Sequence, residues 1–214
     1  MDRHYLYNID SMYRVKHRLD AKKFPYDIEF GVYQPHFFQN DENLLYMRTY
    51  CDTIFIIDAS IKMTPKYHLN FGNNWYTSYF FKKYYRKQPF YIYQEMDANH
   101  YAKFLLFSEN ESYLIVGYTI TDDSDEKRYM AIYSRETDKV YTFKGTQDFP
   151  AVHLFSNPHC LKGNAFVSII EADQFCEIAA QIKTKDTVSE TIKQYAKIVK
   201  DTDNPILILY SIHE

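Results

Sequence analysis

Glycine is scarce in this chain: 5 residues in 214. Phosphate-cradling loops need glycine for their tight turns, and no GxSxG, Walker-type or GxGxxG pattern occurs. Cysteine is also sparse. Cys51, Cys160 and Cys176 are an odd number with no CxxC spacing, which argues against a disulfide framework and a structural zinc site. They lack the neighbouring histidine and cationic pattern of a nucleophile, and they read as buried or incidental. No run of 18 apolar residues exists, so no helical span across a membrane is expected. The opening MDRHYLYNID has no apolar core of a signal peptide and no lipid-attachment cysteine after it. Read as complete, the chain belongs in the cytoplasm. The net charge is only -3, which gives no global electrostatic case for nucleic acid or an anionic membrane. No cofactor motif is present, and none is expected to bind.

Aromatics are what the chain has in excess. They make up 18% of it, with 22 Tyr and 16 Phe against a single Trp. Tyr and Phe in short runs favour strands, and Tyr tolerates half-buried positions because its ring is apolar and its hydroxyl wet.

Short strands are predicted at 4–8 and 12–17, with a weaker one near 26–30. A clearer unit follows in 34–39, 43–50, 53–58 and 65–71, four runs separated by short turns. Such spacing predicts an antiparallel meander. A second set lies at 101–108, 112–120, 128–133 and 139–143. FFQNDENLLYMR and LLFSENESYLIV repeat one apolar–turn–apolar pattern at an offset of about 67–69 positions. A repeated four-stranded meander is the sequence sign of a propeller blade. A third, degenerate copy begins near Leu161 with NAFVSII and is interrupted by helices at 171–182 and 187–200. In the second helix Val188, Ile192, Tyr195, Ala196 and Val199 share a face, and Thr187 with Glu190 forms a capping box. The terminal run ILILY and Ile212 is apolar throughout, so it is expected to lie buried between neighbours.

CDTIFIIDASIKMTPKYHLNFG, FLLFSENESYLIVGY, YMAIYSRETDKVY and DNPILILYSI together resemble a recurrent blade of the six-bladed β-propeller proteins of Bacteroides-type bacteria, which are NHL-like. The resemblance covers about 34–214. It implies an all-β partial propeller of about three to four blades, with units at about 1–33, 34–71, 101–144 and 161–214 in one domain. Helical insertions would sit near 76–87 and 171–200. Members usually carry a lipoprotein signal and face the periplasm or cell surface. This chain has fewer blades and no such signal, so it looks like the C-terminal part of such a protein. Missing N-terminal blades and a homo-oligomer both remain open. No catalytic residue carries over.

The most unusual stretch is SYFFKKYYRKQPFYIYQ, 78–94. Tyr79, Lys82, Lys83, Tyr84, Tyr85, Arg86, Tyr91 and Tyr93 are the candidate ligand-binding residues. Rings interleaved with cations suit a glycan, a peptide or an envelope partner protein. Single-stranded nucleic acid also fits such a pattern, but the acidic balance argues against it. The bland alternative is an amphipathic helix at 76–87 packing Phe80, Phe81, Tyr84 and Tyr85 on the sheets.

None of the eight histidines forms HxH or HExxH. His36, His100 and His159 each stand near the start of a unit and are the weak candidates for a metal. The acidic TDDSDEK (121–127) lacks the glycine and spacing of a calcium loop and reads as a solvated turn. The sequon at Asn110 falls in a tight turn. The expected function is binding or interaction without catalysis. A metal-assisted lyase or hydrolase using the histidines is the alternative.

Overall fold

The structure is a computed structural model. It describes residues 7–9, 15–18, 36–40, 43–47, 51–76, 80, 83, 89–122, 125–145, 151–156, 158–183 and 185–212. In chain order, strands β1 (Tyr7–Ile9) and β2 (Val15–Arg18) form a two-stranded pair. The first large sheet is a meander of β3 (His36–Asn40), β4 (Asn43–Met47), β5 (Thr53–Ile57) and β6 (Met63–His68). Helix α1 (Pro89–Ala98) leads into the central sheet. That sheet is β7 (Ala102–Glu109), β8 (Tyr113–Asp122), β9 (Asp125–Ser134) and β10 (Lys139–Lys144). After the one-turn helix α2 (Val152–Phe155) comes the third sheet, β11 (Pro158–Lys162), β12 (Ala165–Ile170) and β13 (Ile206–Tyr210). Helices α3 (Ala172–Gln181) and α4 (Thr187–Ala196) are inserted between β12 and β13.

The meanders follow from local chemistry. In the central sheet β8 and β9 pair residue by residue up to Asp122 opposite Asp125. Both described ends of the acidic segment are therefore strand. Glu109 closes the preceding strand, and the Asn110 side chain accepts hydrogen bonds from the Ser112 and Tyr113 amides at 3.0 and 2.8 Å. That Asx geometry builds the turn into β8. Asn110 also donates to the Asn164 carbonyl at 2.9 Å, which ties this turn to the third sheet.

The central sheet is buried on both faces. Phe104, Phe107, Leu114 and Val116 pack on Phe38, Leu45, Met47 and Ile54 of the first sheet. Ile115, Met130 and Ile132 point the other way, onto Val152 and Phe166. Hence the consecutive apolar run Leu114–Ile115–Val116: successive strand residues face opposite sides, and here both sides are dry. Each such side chain contributes about 1.5–3 kcal/mol by burial. A third cluster joins α3 and α4 (Phe175, Ala179, Ile192) to Ile170, Ile206 and Ile208 of the third sheet. Strands β3, β7 and β11, the first of each sheet, lie against one another.

The propeller expectation is overturned. Among the described residues, beside the β1–β2 pair, there are three separate antiparallel sheets of four, four and three strands, none closed on itself, in a sandwich-like stack. A four-stranded meander is specified by hairpins within about 40 residues. The same meander serves a blade or a sandwich layer, and only non-local packing decides between them.

Three further expectations change. Among the described residues β13 is an edge strand, not one gripped on both sides. Ile206, Ile208 and Tyr210 face inward, while Leu207 and Leu209 face solvent. The cap of α4 is Asp186, whose carboxylate accepts the Ser189 amide at 2.9 Å and the Ser189 hydroxyl at 2.6 Å, in place of a Thr187–Glu190 box. Of the helix expected at 76–87, Phe80 and Lys83 are helical and the remainder mostly lies outside the described residues; α1 follows it at Pro89–Ala98.

Candidate functional site: an aromatic row between two sheets

The segment NFGNNW carries the chain away from β6. Asn70 accepts the Gly72 amide at 2.9 Å, and Gly72 takes a φ of +58°, a left-handed conformation that glycine adopts without strain. A 3-10 turn over Gly72–Asn74 follows, and the Asn74 side chain donates to the His100 carbonyl at 2.7 Å. The turn is thereby fixed to the start of the central sheet. It presents Phe71 and Trp75 stacked at 4.9 Å. Tyr76 is buried beneath them, donating its hydroxyl to the Ala102 carbonyl at 2.7 Å and packing on Phe80 and Tyr101.

Phe71 meets the edge of Tyr118 at 5.1 Å. Tyr118 and Tyr129 are register partners on β8 and β9, and their rings lie parallel at 5.1 Å. Lys144, the partner of Tyr129 on β10, sets its ammonium 5.6 Å from the Tyr129 centroid. A continuous row results: Trp75, Phe71, Tyr118, Tyr129, Lys144. All four rings are half-buried and the lysine is exposed. Burial, with the neighbouring Tyr129, pushes the Tyr118 phenol above its ordinary range, so the hydroxyl stays protonated. The row closes one end of the core between the first and central sheets. It also offers ring surface, phenolic hydroxyls and one cation to solvent.

Two charged networks tie the central sheet to its neighbours. Lys103 bonds Asp97 at 2.6 Å and approaches Glu126 at 3.5 Å. Thr121 donates to Asp97 at 2.6 Å and Thr119 to Glu126 at 2.7 Å. Burial works to raise the Asp97 carboxyl, but the bonds from Lys103 and Thr121 outweigh it and hold the group below its usual range. This network clamps the end of α1 to the central sheet. The other centres on Glu109, wholly buried, which accepts from Lys66 at 2.5 Å, Tyr67 at 2.7 Å and Arg135 at 2.6 Å. Both carboxylate oxygens are occupied, so the cluster reads as a cross-link rather than a reactive site.

Of the residues expected to bind ligand, Tyr79, Lys82, Tyr84, Tyr85 and Arg86 lie outside the described residues. Tyr91 and Tyr93 belong to α1, whose backbone alone is described there. Lys83 is exposed and lies 3.8 Å from Glu95. The metal candidates stand at comparable points: His36 opens β3, His100 precedes β7, and His159 is in β11. His100 is a turn residue with φ +54°, its Nδ1 2.6 Å from the Thr121 carbonyl oxygen. His159 is exposed. Among the described residues no three His, Cys, Asp or Glu side chains converge as a metal-ligand set. Cys160 and Cys176 are free thiols, the first exposed and the second half-buried.

Sequence reasoning missed the row itself. Its signal was the pairing of β8 with β9, whose register sets Tyr118 opposite Tyr129. Reading 121–127 as a solvated turn ended the flanking strands too early to show that register.

A family model described as "Domain of unknown function (DUF4934)" matches residues 2–211. The chain belongs to this family. That replaces the resemblance to NHL-like six-bladed propellers, which neither the family match nor the open sheets support. No curated protein matches the chain. Among solved structures, the crystal structure of a "putative exported protein" from Bacteroides fragilis is similar, with a TM-score of 0.68 at 17% identity. The match covers 96% of this DUF4934 chain and 57% of that one, so the chain spans little over half the length of its structural relative. At this identity the likeness speaks to fold alone. No helix among the described residues is long and apolar enough to cross a membrane.

Proposed function

We propose that this DUF4934 chain is a non-catalytic binding module for carbohydrate, acting outside the cytoplasm at the bacterial envelope. The observation that carries the reading is the row Trp75–Phe71–Tyr118–Tyr129 ending in Lys144. Sugars pair apolar C–H faces with dense hydroxyls. Half-exposed rings supply the apolar contact, and phenols supply hydrogen bonds at the same surface. A folded protein rarely leaves so many rings partly wet in one place without a use. Lys144 suits a glycan bearing a carboxylate or sulfate. Phe80, of the segment 78–94, packs on Tyr76 beside Trp75. The placement outside the cytoplasm draws on the relative described as exported.

Trp75 is the chain's only tryptophan, so its fluorescence reports on the row directly. Titration with neutral and acidic oligosaccharides chosen from a glycan array is expected to shift its emission. Tyr129→Ala and Trp75→Ala are each expected to weaken array binding about tenfold or more, the loss of one stacking contact. Array binding that both variants leave unchanged would place the site elsewhere. No binding to any glycan would end the carbohydrate reading.

A further inference from the structure

Among the described residues the third sheet has three strands where the other two large sheets have four, and β13 forms its outer edge. An open edge presents unpaired N–H and C=O groups to any other extended chain, and proteins normally blunt it with proline, lysine or a bulge. Edge strand β6 carries Pro65 and Lys66 and lies across a bulge. β10 carries Lys139 and Lys144. β11 carries Pro158 and Lys162 and a bulge. β13, with the sequence ILILY, has no such device, and it pairs with β12 in unbroken register. Its solvent face is apolar as well: Leu207 and Leu209 are 61% and 50% exposed, and Ile169, the partner of Leu207 on β12, is 43% exposed.

We infer that β13 pairs antiparallel with β13 of a second copy of this chain, about a two-fold axis through Ile208. This reading is independent of the carbohydrate site. Antiparallel pairing centred on Ile208 sets Leu207 of each copy opposite Leu209 of the other, on the outer face, with Ile169 of each copy alongside. The inner face then sets Ile206 against Tyr210. Every apolar position meets an apolar position, the self-complementarity that an isologous interface requires. The two three-stranded sheets become one of six strands. Ile169, Leu207 and Leu209 offer on the order of 300 Å² per copy, about the size at which an exposed apolar patch marks a contact site. Two such patches and the paired backbones approach roughly 1,000 Å², the lower bound for a specific interface. The dimer is accordingly weak and concentration-dependent. A strand donated by a different polypeptide would use the same edge, but would not produce self-association.

Sedimentation velocity from low to high micromolar concentration tests this. The wild-type chain is expected to move from the 25.7 kDa monomer toward twice that mass. The double variant Leu207→Lys/Leu209→Lys, at positions already open to solvent, is expected to stay monomeric with an unchanged circular dichroism spectrum. Should that variant misfold, a Cys160→Ser background carrying Leu207→Cys and Leu209→Cys is expected to form an inter-chain disulfide under mild oxidation. A wild-type chain monomeric throughout would overturn the inference and leave the edge to another polypeptide. So would a dimer that the lysines leave intact, or the absence of cross-linking in the cysteine variant.

Discussion

Tyr67 on β6 donates its hydroxyl to Glu109 on β7 at 2.7 Å, joining two sheets through one buried carboxylate. Lys66 and Arg135 also bond this carboxylate. Burial, with the bond to Glu109, pushes the Tyr67 phenol up to about 12. Glu109 is the only charge in this cluster without solvent access. Glu109→Ala would leave two cations and a phenol facing an apolar gap. Lys66 and Arg135 are 25% and 32% exposed, so water partly screens them and the loss sits at the low end for a broken buried pair. We expect about 3 kcal/mol from urea unfolding. Tyr67→Phe removes one bond to a charged acceptor and should cost about 1.5 kcal/mol. Equal, negligible losses in both would refute the cross-link.

Gly117 on β8 tests the packing of α2 on the central sheet. A Cβ there would collide with the Ser156 carbonyl oxygen, which is backbone and cannot swing aside. The Ser156 amide is itself held by the Val152 carbonyl at 2.9 Å. Gly117→Ala is therefore expected to destabilise by about 3 kcal/mol, the upper range for overpacking. Gly163, with φ +58° and nothing near its Cβ position, gives the contrast. Gly163→Ala should cost about 1 kcal/mol, through backbone strain alone. Thermal melts of the two variants separate the mechanisms.

The α4 cap isolates a single hydrogen-bonded residue. Asp186→Ala removes the acceptor for both the amide and the hydroxyl of Ser189, and an acidic group at the positive helix end. About 1 kcal/mol should be lost. Thr187→Ala, one residue on, should cost far less, because its side chain is not the cap. Reversal of that order in chemical denaturation would restore the capping box that the sequence suggests.

These cases mark what could be read from residues alone. The meanders were legible because a hairpin is written within a dozen positions: apolar alternation, a turn, alternation again. How the sheets pack was not, because Phe38 meets Phe107 and Ile115 meets Phe166 across distances no local pattern encodes. Glu109 looked like one more turn residue in SENES, since two of its partners lie 42 and 43 positions away. Helix α1 was hidden because YIY carries a strand preference. Trp75 was visible as the sole tryptophan, yet only the fold of the NFGNNW turn brings it to Phe71 and Tyr118.

His153 on α2 is half-buried, near Arg128 on β9 and tight against Gly145, where a Cβ would sit 2.9 Å from its Nε2. Burial disfavours its charged form and the Arg128 guanidinium adds repulsion, so its pKa falls below the ordinary 6.5. The sign follows from proton binding. Below pH 6.5 the unfolded chain takes up the proton first, so stability that is full above that value declines as pH falls toward the folded-state pKa. Beneath that pKa both states are protonated and this contribution levels off. Urea midpoints should therefore drop between about pH 7.5 and 5.5 in the wild-type chain. His153→Gln, of similar size and without a titrating ring, should show a shallower decline over the same window. Parallel profiles for the two proteins would mean that His153 is protonated as readily in the folded chain as in the unfolded one, and that Arg128 does not repel it.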